Sequence, residues 1–115
     1  MILVDTSMWI DHFRFGHPEL KEALERQLVV THPMVIGELA CGNLPKRAET
    51  LGLLDQLRKA PEASDREVRH LIEERQLYGS GLGWVDVHLL ASALLIPGGE
   101  LWTRDKALKA ASRAL

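Results

Sequence analysis

At 115 residues, with 46% apolar side chains and a formal net charge of −2, the chain has the size of one domain with one core, and it lacks the strongly basic balance of a general nucleic-acid binder. Any such partner would be held by local basic patches or by a metal. The single cysteine, Cys41, excludes an intrachain disulfide, no apolar run approaches about 18 residues, and no basic leader precedes Ile2-Leu3-Val4. Neither a signal peptide nor a membrane span is therefore expected, and a cytoplasmic location is.

Residues 2–5 read as a short strand, apolar on both faces as in a parallel sheet. Residues 9–15 read as a helix broken at Gly16, and His17-Pro18 opens another with Leu20, Ala23, Leu24 and Leu28 on one face. Residues 28–31 form a second strand. Pro33 suits the first turn of a helix that runs to Ala40 and is ended by Gly42; between Ala40 and Gly42, Cys41 is expected to be a small buried side chain. Pro45 opens a helix carrying Leu51, Leu54 and Leu57 at helical spacing. A further strand is expected somewhere between Leu57 and Ser64. Ser64 and Glu67 have the spacing of a capping box, starting a helix to about Tyr78 that buries Val68, Leu71 and Ile72. Gly79 to Gly83 is a break, Asp86 begins a strongly apolar helix through Leu95, Pro97-Gly98-Gly99 is a turn, residues 100–103 are a last strand, and Asp105 starts a terminal helix. The sum is an α/β sandwich around a small parallel sheet.

Four acids stand where solubility alone does not explain them. Asp5 follows Ile2-Leu3-Val4; Glu38 lies within the apolar segment that starts at Met34; Asp86 interrupts Trp84-Val85 and Val87; Asp105 closes Leu101-Trp102-Thr103-Arg104. A carboxylate beside apolar surface is costly unless it is paired or binds a cation, and oxygen ligands of this kind suit hard Mg²⁺ or Mn²⁺. Ligands of an open parallel sheet bind beyond the carboxyl ends of its strands, which is where Asp5 and Asp105 fall. Asp86 follows a glycine-rich loop able to approach the same edge. Taken singly, Asp5 and Asp105 also read as helix N-caps, and Asp86 as a favourable charge at a helix start. Glu38 has the least structural use. Thr6, Ser7 and Thr103 are equally readable as site hydroxyls or as ordinary turn residues. Asp11 and His12 read as a solvated face, and His88 as pointing away from Asp86. No Ser-His-Asp set, zinc-type Cys-His spacing or P-loop is present.

In order and context, Val4-Asp5-Thr6-Ser7-Met8-Trp9-Ile10-Asp11, Gly37-Glu38-Leu39-Ala40-Cys41-Gly42, Gly83-Trp84-Val85-Asp86-Val87-His88-Leu89-Leu90 and Leu101-Trp102-Thr103-Arg104-Asp105 resemble a PIN-domain ribonuclease, specifically a VapC-type toxin of a type II toxin–antitoxin pair. The resemblance covers essentially the whole chain. It implies one PIN domain over residues 1–115, a three-layer α/β sandwich, Mg²⁺- or Mn²⁺-dependent endonucleolytic cleavage of RNA, a homodimer and a cognate VapB-like antitoxin. It assigns the metal-site and catalytic acids to Asp5, Glu38, Asp86 and Asp105. Arg14, Lys46, Arg47 and Arg104 are candidate RNA phosphate contacts.

Other readings are weaker. A non-catalytic α/β module would use the acids for a regulatory cation or for a partner's basic side chain, and RNA cleavage with and without a chelator separates it from a nuclease. A receiver domain would want paired acids at the first strand end, and an Asp-x-Asp phosphatase fails because residue 7 is Ser. Trp9, Phe13, Phe15, Leu51, Leu53, Leu54 and Tyr78 form a large apolar inventory for one small core. A second chain and an antitoxin groove are expected to cover part of it.

Overall fold

A computed structural model describes residues 1–115. The chain runs β1 (Ile2–Val4), α1 (Thr6–Phe15), α2 (Pro18–Glu25), β2 (Val29–Thr31), α3 (Pro33–Ala40), α4 (Arg47–Gln56), β3 (Arg58–Lys59), α5 (Asp65–Glu74), α6 (Trp84–Leu95), β4 (Glu100–Trp102) and α7 (Lys106–Ala114). All four strands are parallel, in the order β3-β2-β1-β4, with Leu3 level with Val30 on one side and Leu101 on the other. β1 and β2 are buried along their whole length, as the uninterrupted apolar run of a central parallel strand requires. α3 packs against α1 and α4, and α6 against α5 and α7, while α6 and α7 also lie on the sheet, giving an α/β sandwich. The main core joins Leu3, Val4, Trp9, Leu20, Val35 and Leu89 across these layers, and a smaller cluster of Ala63, Val68, Val87 and Ala91 locks α5 to α6.

Side-chain caps set most helix starts. Asp5 caps α1, His17 caps α2, His32 caps α3, Ser64 and Glu67 form the expected capping box on α5, and Asp105 caps α7. These caps explain several departures from the sequence reading. α1 begins at Thr6 rather than at residue 9, because the Asp5 carboxylate accepts from the Thr6 N–H. α6 begins at Trp84, two residues before Asp86, with the Asp86 carboxylate turned back onto the Gly83 N–H. α5 stops at Glu74, short of Tyr78, where Gln76 takes a positive φ of 54°. α4 starts at Arg47, after Lys46 in the left-handed region. β3 has only two residues, both exposed, so it had no apolar pattern to find.

Two burial expectations are overturned. Cys41 is exposed at the end of α3, because Val35 and Leu39 are the residues α3 turns inward and position 41 lies off that face. Trp9 is a core residue, 3% exposed, and not part of an uncovered surface. Leu53 does behave as the sequence suggested: it is 59% exposed while the adjacent Leu54 is buried, so α4 carries apolar side chains on two faces.

Candidate functional site

The apolar β1 delivers Asp5 to the carboxyl edge of the sheet, where its extended backbone and 6% exposure fix it at the start of α1. One carboxylate oxygen, Oδ1, accepts from the Thr6 N–H at 2.8 Å. The other, Oδ2, accepts from Ser7 Oγ at 2.8 Å and from Thr103 Oγ1 at 2.7 Å. Thr103 follows β4, which is β1's neighbour, so parallel pairing brings the two loops side by side; the Asp5 N–H also donates to the Trp102 carbonyl. Ser7 Oγ accepts from the Arg104 N–H, and Thr103 Oγ1 accepts from the Asp105 N–H, both at 3.0 Å. The loop after β4 is thereby stitched to the start of α1 by hydroxyl groups. Asp105 then caps α7, its Oδ1 accepting from the Leu108 N–H at 2.9 Å.

Asp86 reaches this edge from α6. It is half-buried, with Oδ2 accepting from the Gly83 N–H at 2.8 Å. Burial pushes its carboxyl above the usual range. The Gly83 N–H opposes that shift, and the charges of Asp5 and Asp105 add to it. Those two charges tie the acids together: Asp86 senses both as neighbours. Glu38 sits differently. It is exposed on α3, beside the buried stripe of Val35 and Leu39, and accepts from Thr6 Oγ1 at 2.6 Å. It is thus joined through one hydroxyl to the loop that carries Asp5, and it is not embedded in apolar surroundings as its neighbours in sequence suggested.

No three Asp, Glu, His or Cys side chains already stand at ligand spacing around a common point. The donor chemistry nonetheless fits a hard divalent ion. All four groups are carboxylates, and each offers about four lone-pair positions. Asp5 uses three of them in the bonds above, while Glu38, Asp86 and Asp105 each accept a single bond. The like-charge crowding felt by Asp86 is the electrostatic strain that a cation relieves.

Thr6, Ser7 and Thr103, ambiguous in the sequence, all bond to the acids or to their backbone. His88 points away: it is buried, its ring edge-on to Trp84 at 4.5 Å, with Nε2 3.3 Å from Asp65 Oδ1. Arg104 lies at the site's rim, 4.0 Å from Asp11. Arg47 is not free for a ligand, because its guanidinium is bonded to backbone carbonyls at the end of α3. Sequence reasoning missed the capping role of His32. Its Nδ1 accepts from the Met34 N–H at 3.0 Å, and its position directly before Pro33 was the available signal.

Compared with known proteins, the chain matches the PIN domain family over residues 2–114. It is 49% identical over 111 residues to Ribonuclease VapC32 of Mycobacterium tuberculosis, in both the CDC 1551 / Oshkosh and the ATCC 25618 / H37Rv strains; the match covers 96% of this chain and 90% of each relative.

Proposed function

The chain belongs to the PIN-domain family, and from that premise we propose that it is the toxin endoribonuclease of a VapBC-type pair, hydrolysing RNA phosphodiester bonds with a divalent cation, Mg²⁺ or Mn²⁺. One PIN domain spanning residues 1–115 carries the activity. The observation that carries the reading is the hydroxyl-stitched joint between the loops after β1 and β4, which fixes Asp5 next to the Asp105 backbone, near enough to Asp86 for both charges to raise its carboxyl.

Asp5, Glu38, Asp86 and Asp105 are the groups that hold the cation. When bound, it supplies a Lewis acid that activates water and offsets charge on the phosphate and the leaving oxygen. The chain's own side chains supply the rest. Asp5 is held by three donors, so its carboxylate needs little reorganisation on ligand binding. Thr6 orients Glu38, and Thr103 links Asp5 to the Asp105 backbone. Burial raises the Asp86 carboxyl above its ordinary value, and the Gly83 N–H on its Oδ2 opposes that shift and fixes its orientation. Phosphodiester substrate brings further negative charge, so RNA and cation bind together.

An antitoxin of the VapB type silences the site by placing an Arg or Lys among the acids, a charge-assisted pairing that excludes cation and RNA. Two apolar grooves support a homodimer and an antitoxin seat: one of about 490 Å³ between α1, α2 and α4, lined by Phe13, Leu24 and Leu53, and one of about 450 Å³ between α5 and α6, lined by Leu71, Leu94 and Leu95. Leu53, Leu94 and Leu95, which line them, are large apolar side chains left exposed, the kind of surface a partner covers. No helix is long and apolar enough to cross a membrane; a cytoplasmic location is part of the proposal, as an RNA target requires.

The test is cleavage of a defined RNA by the purified chain in Mg²⁺ or Mn²⁺, with excess chelator and with Asp5→Asn as controls. Cleavage that stops under both controls is the expected result. Cleavage that persists in Asp5→Asn at equal purity would remove the assignment.

A further inference from the structure

We infer that Arg47 is a positioning residue for Glu38: it closes the C-terminus of the short helix that carries this acid, an inference resting on the metal-site reading of Glu38 given above. α3 has eight residues, and Glu38 is the third from its end. The last carbonyls of a helix lack intrahelical donors, and an eight-residue helix has little cooperative reserve against fraying. Glycine in the left-handed region is the usual way to satisfy them. Gly42 stands in the right place, but it is absent from the residues of positive φ, and the cap residue Cys41 stays in the right-handed helical region.

The carbonyl accounting shows what takes over. Cys41 N–H donates to the Gly37 and Glu38 carbonyls, and Gly42 N–H to that of Leu39. The carbonyls of Ala40 and Gly42 go to Arg47, whose Nη2 donates to Ala40 O at 2.5 Å and Nη1 to Gly42 O at 2.9 Å. A planar guanidinium is the side chain able to span two carbonyls at once, and its charge opposes the negative end of the helix dipole. α3 has no basic residue in its own last turn, so Arg47 supplies from α4 the charge that α3 lacks.

The chain gives up local comfort to aim this residue. Lys46 is held at φ 45° and ψ 56°, a left-handed conformation that costs a non-glycine residue, and as N-cap of α4 it makes no side-chain bond to its helix. Thr50 Oγ1 braces the same turn by donating to the Pro45 carbonyl at 2.6 Å. A strained turn that leaves its own helix uncapped, while directing an arginine onto the neighbouring helix, is organised around that arginine. From the other side, Thr6 Oγ1 holds the Glu38 carboxylate. Glu38 is therefore fixed at two points, its carboxylate by Thr6 and its helix end by Arg47.

Two measurements on Arg47→Ala test this. Amide hydrogen exchange of the full chain in chelator reads the helix end without any activity: exchange at residues 38–42 should accelerate at least tenfold, while the β1 and β2 amides keep their protection. The Mg²⁺ concentration for half-maximal RNA cleavage should rise about 10-fold or more, as for other residues that orient a metal ligand, with the rate recovering at saturating Mg²⁺. Guanidinium at low millimolar concentration should partly reverse both effects, and Arg47→Lys, whose single ammonium holds one carbonyl, should fall in between. Unchanged exchange at residues 38–42 overturns the proposal, as does an unchanged Mg²⁺ midpoint accompanied only by a lower melting temperature. A weaker salt dependence of RNA binding with unchanged exchange would assign Arg47 to phosphate contact and overturn it too. If the wild-type chain cleaves no RNA in any divalent ion, the ribonuclease reading falls, and the exchange arm still decides whether Arg47 holds the end of α3.

Discussion

Replacing Thr103 by Val removes one hydroxyl from the joint between the loops and almost nothing else. Thr103 is 5% exposed; its Oγ1 donates to Asp5 Oδ2 at 2.7 Å and accepts from the Asp105 N–H at 3.0 Å. A hydrogen bond to a charged acceptor contributes about 1.5–3 kcal/mol, and a part-buried N–H left without its acceptor costs about 1 kcal/mol more. Val has nearly the same shape, so no cavity term enters, and Asp5 keeps its bonds from Thr6 and Ser7. The expected loss is about 2–4 kcal/mol, a melting-temperature drop on the order of 10 °C for a domain of this size. Thr103→Ser keeps the hydroxyl and deletes one methyl, at about 1 kcal/mol. Urea unfolding of the three proteins in chelator, with unchanged m, reads the difference directly. The Val variant should also lose roughly 10- to 100-fold in cleavage, the scale for groups that orient a metal ligand. A Val variant as stable as the wild type would mean that the hydroxyl bond to Asp5 contributes nothing, and the stitched joint would lose its energetic basis.

Millimolar Mg²⁺ or Mn²⁺ should stabilise the wild type by mass action, by about 2.7 kcal/mol at 100 times the dissociation constant. Asp86→Asn should blunt that gain and yet stabilise the metal-free chain at neutral pH. The folded carboxyl is raised, by burial first and then by Asp5 and Asp105, so the wild type loses stability as pH rises through that value and Asn does not; melting curves with and without metal check both signs. His32 is held below the usual imidazole value by burial, with Glu62 opposing and His88 assisting. Stability should be full above about pH 6.5 and fall below it by up to about 1.4 kcal/mol per pH unit, until the folded value is passed. His32→Asn, which keeps a capping acceptor, should flatten that slope in urea midpoints taken from pH 7.5 to 5. Asp105→Ala should cost about 1 kcal/mol by uncapping α7, while Asp105→Asn should cost little, and both should lose cleavage; a fully active Asn variant would remove Asp105 from the site.

What the sequence made legible follows from which signals are local. The apolar runs placed Asp5 at a strand end because a buried parallel strand is a continuous apolar word, which Ile2-Leu3-Val4 and Val29-Val30 spell; Asp105 followed a fainter signal, the Leu101-Trp102 pair of β4 between the Pro97-Gly98-Gly99 turn and the terminal helix. The capping box of Ser64 and Glu67 is equally local and appeared as expected. β3 was illegible because Arg58 and Lys59 are both exposed: backbone pairing to β2, a long-range property, makes them a strand. Cys41 was misjudged because neighbours in sequence do not fix a helix face, whereas Val35 and Leu39 do. The same error exaggerated Glu38, whose apolar neighbours face inward while it faces solvent. The role of Arg47 was out of reach, since it depends on two carbonyls, one in the last turn of α3 and one just beyond it, coming within 3 Å of it.

The capping and catalytic readings of the acids are not rivals. Asp5 and Asp105 are N-caps, and Asp86 accepts from the backbone at the first turn of α6. In a parallel α/β sheet every helix that follows a strand begins at the carboxyl edge, so its first N–H groups point toward the place where ligands bind. A carboxylate that caps such a helix is aimed at that edge, gains fixed donors, and keeps lone pairs on its outer side. The chain uses this twice on adjacent strands, and Thr103 couples the two caps, bonding to the carboxylate of one and the backbone of the other. Glu38 alone lacks a backbone donor from a helix start, having only the Thr6 hydroxyl. It is the acid whose position must be secured by other means, and the same chain supplies them at the far end of α3.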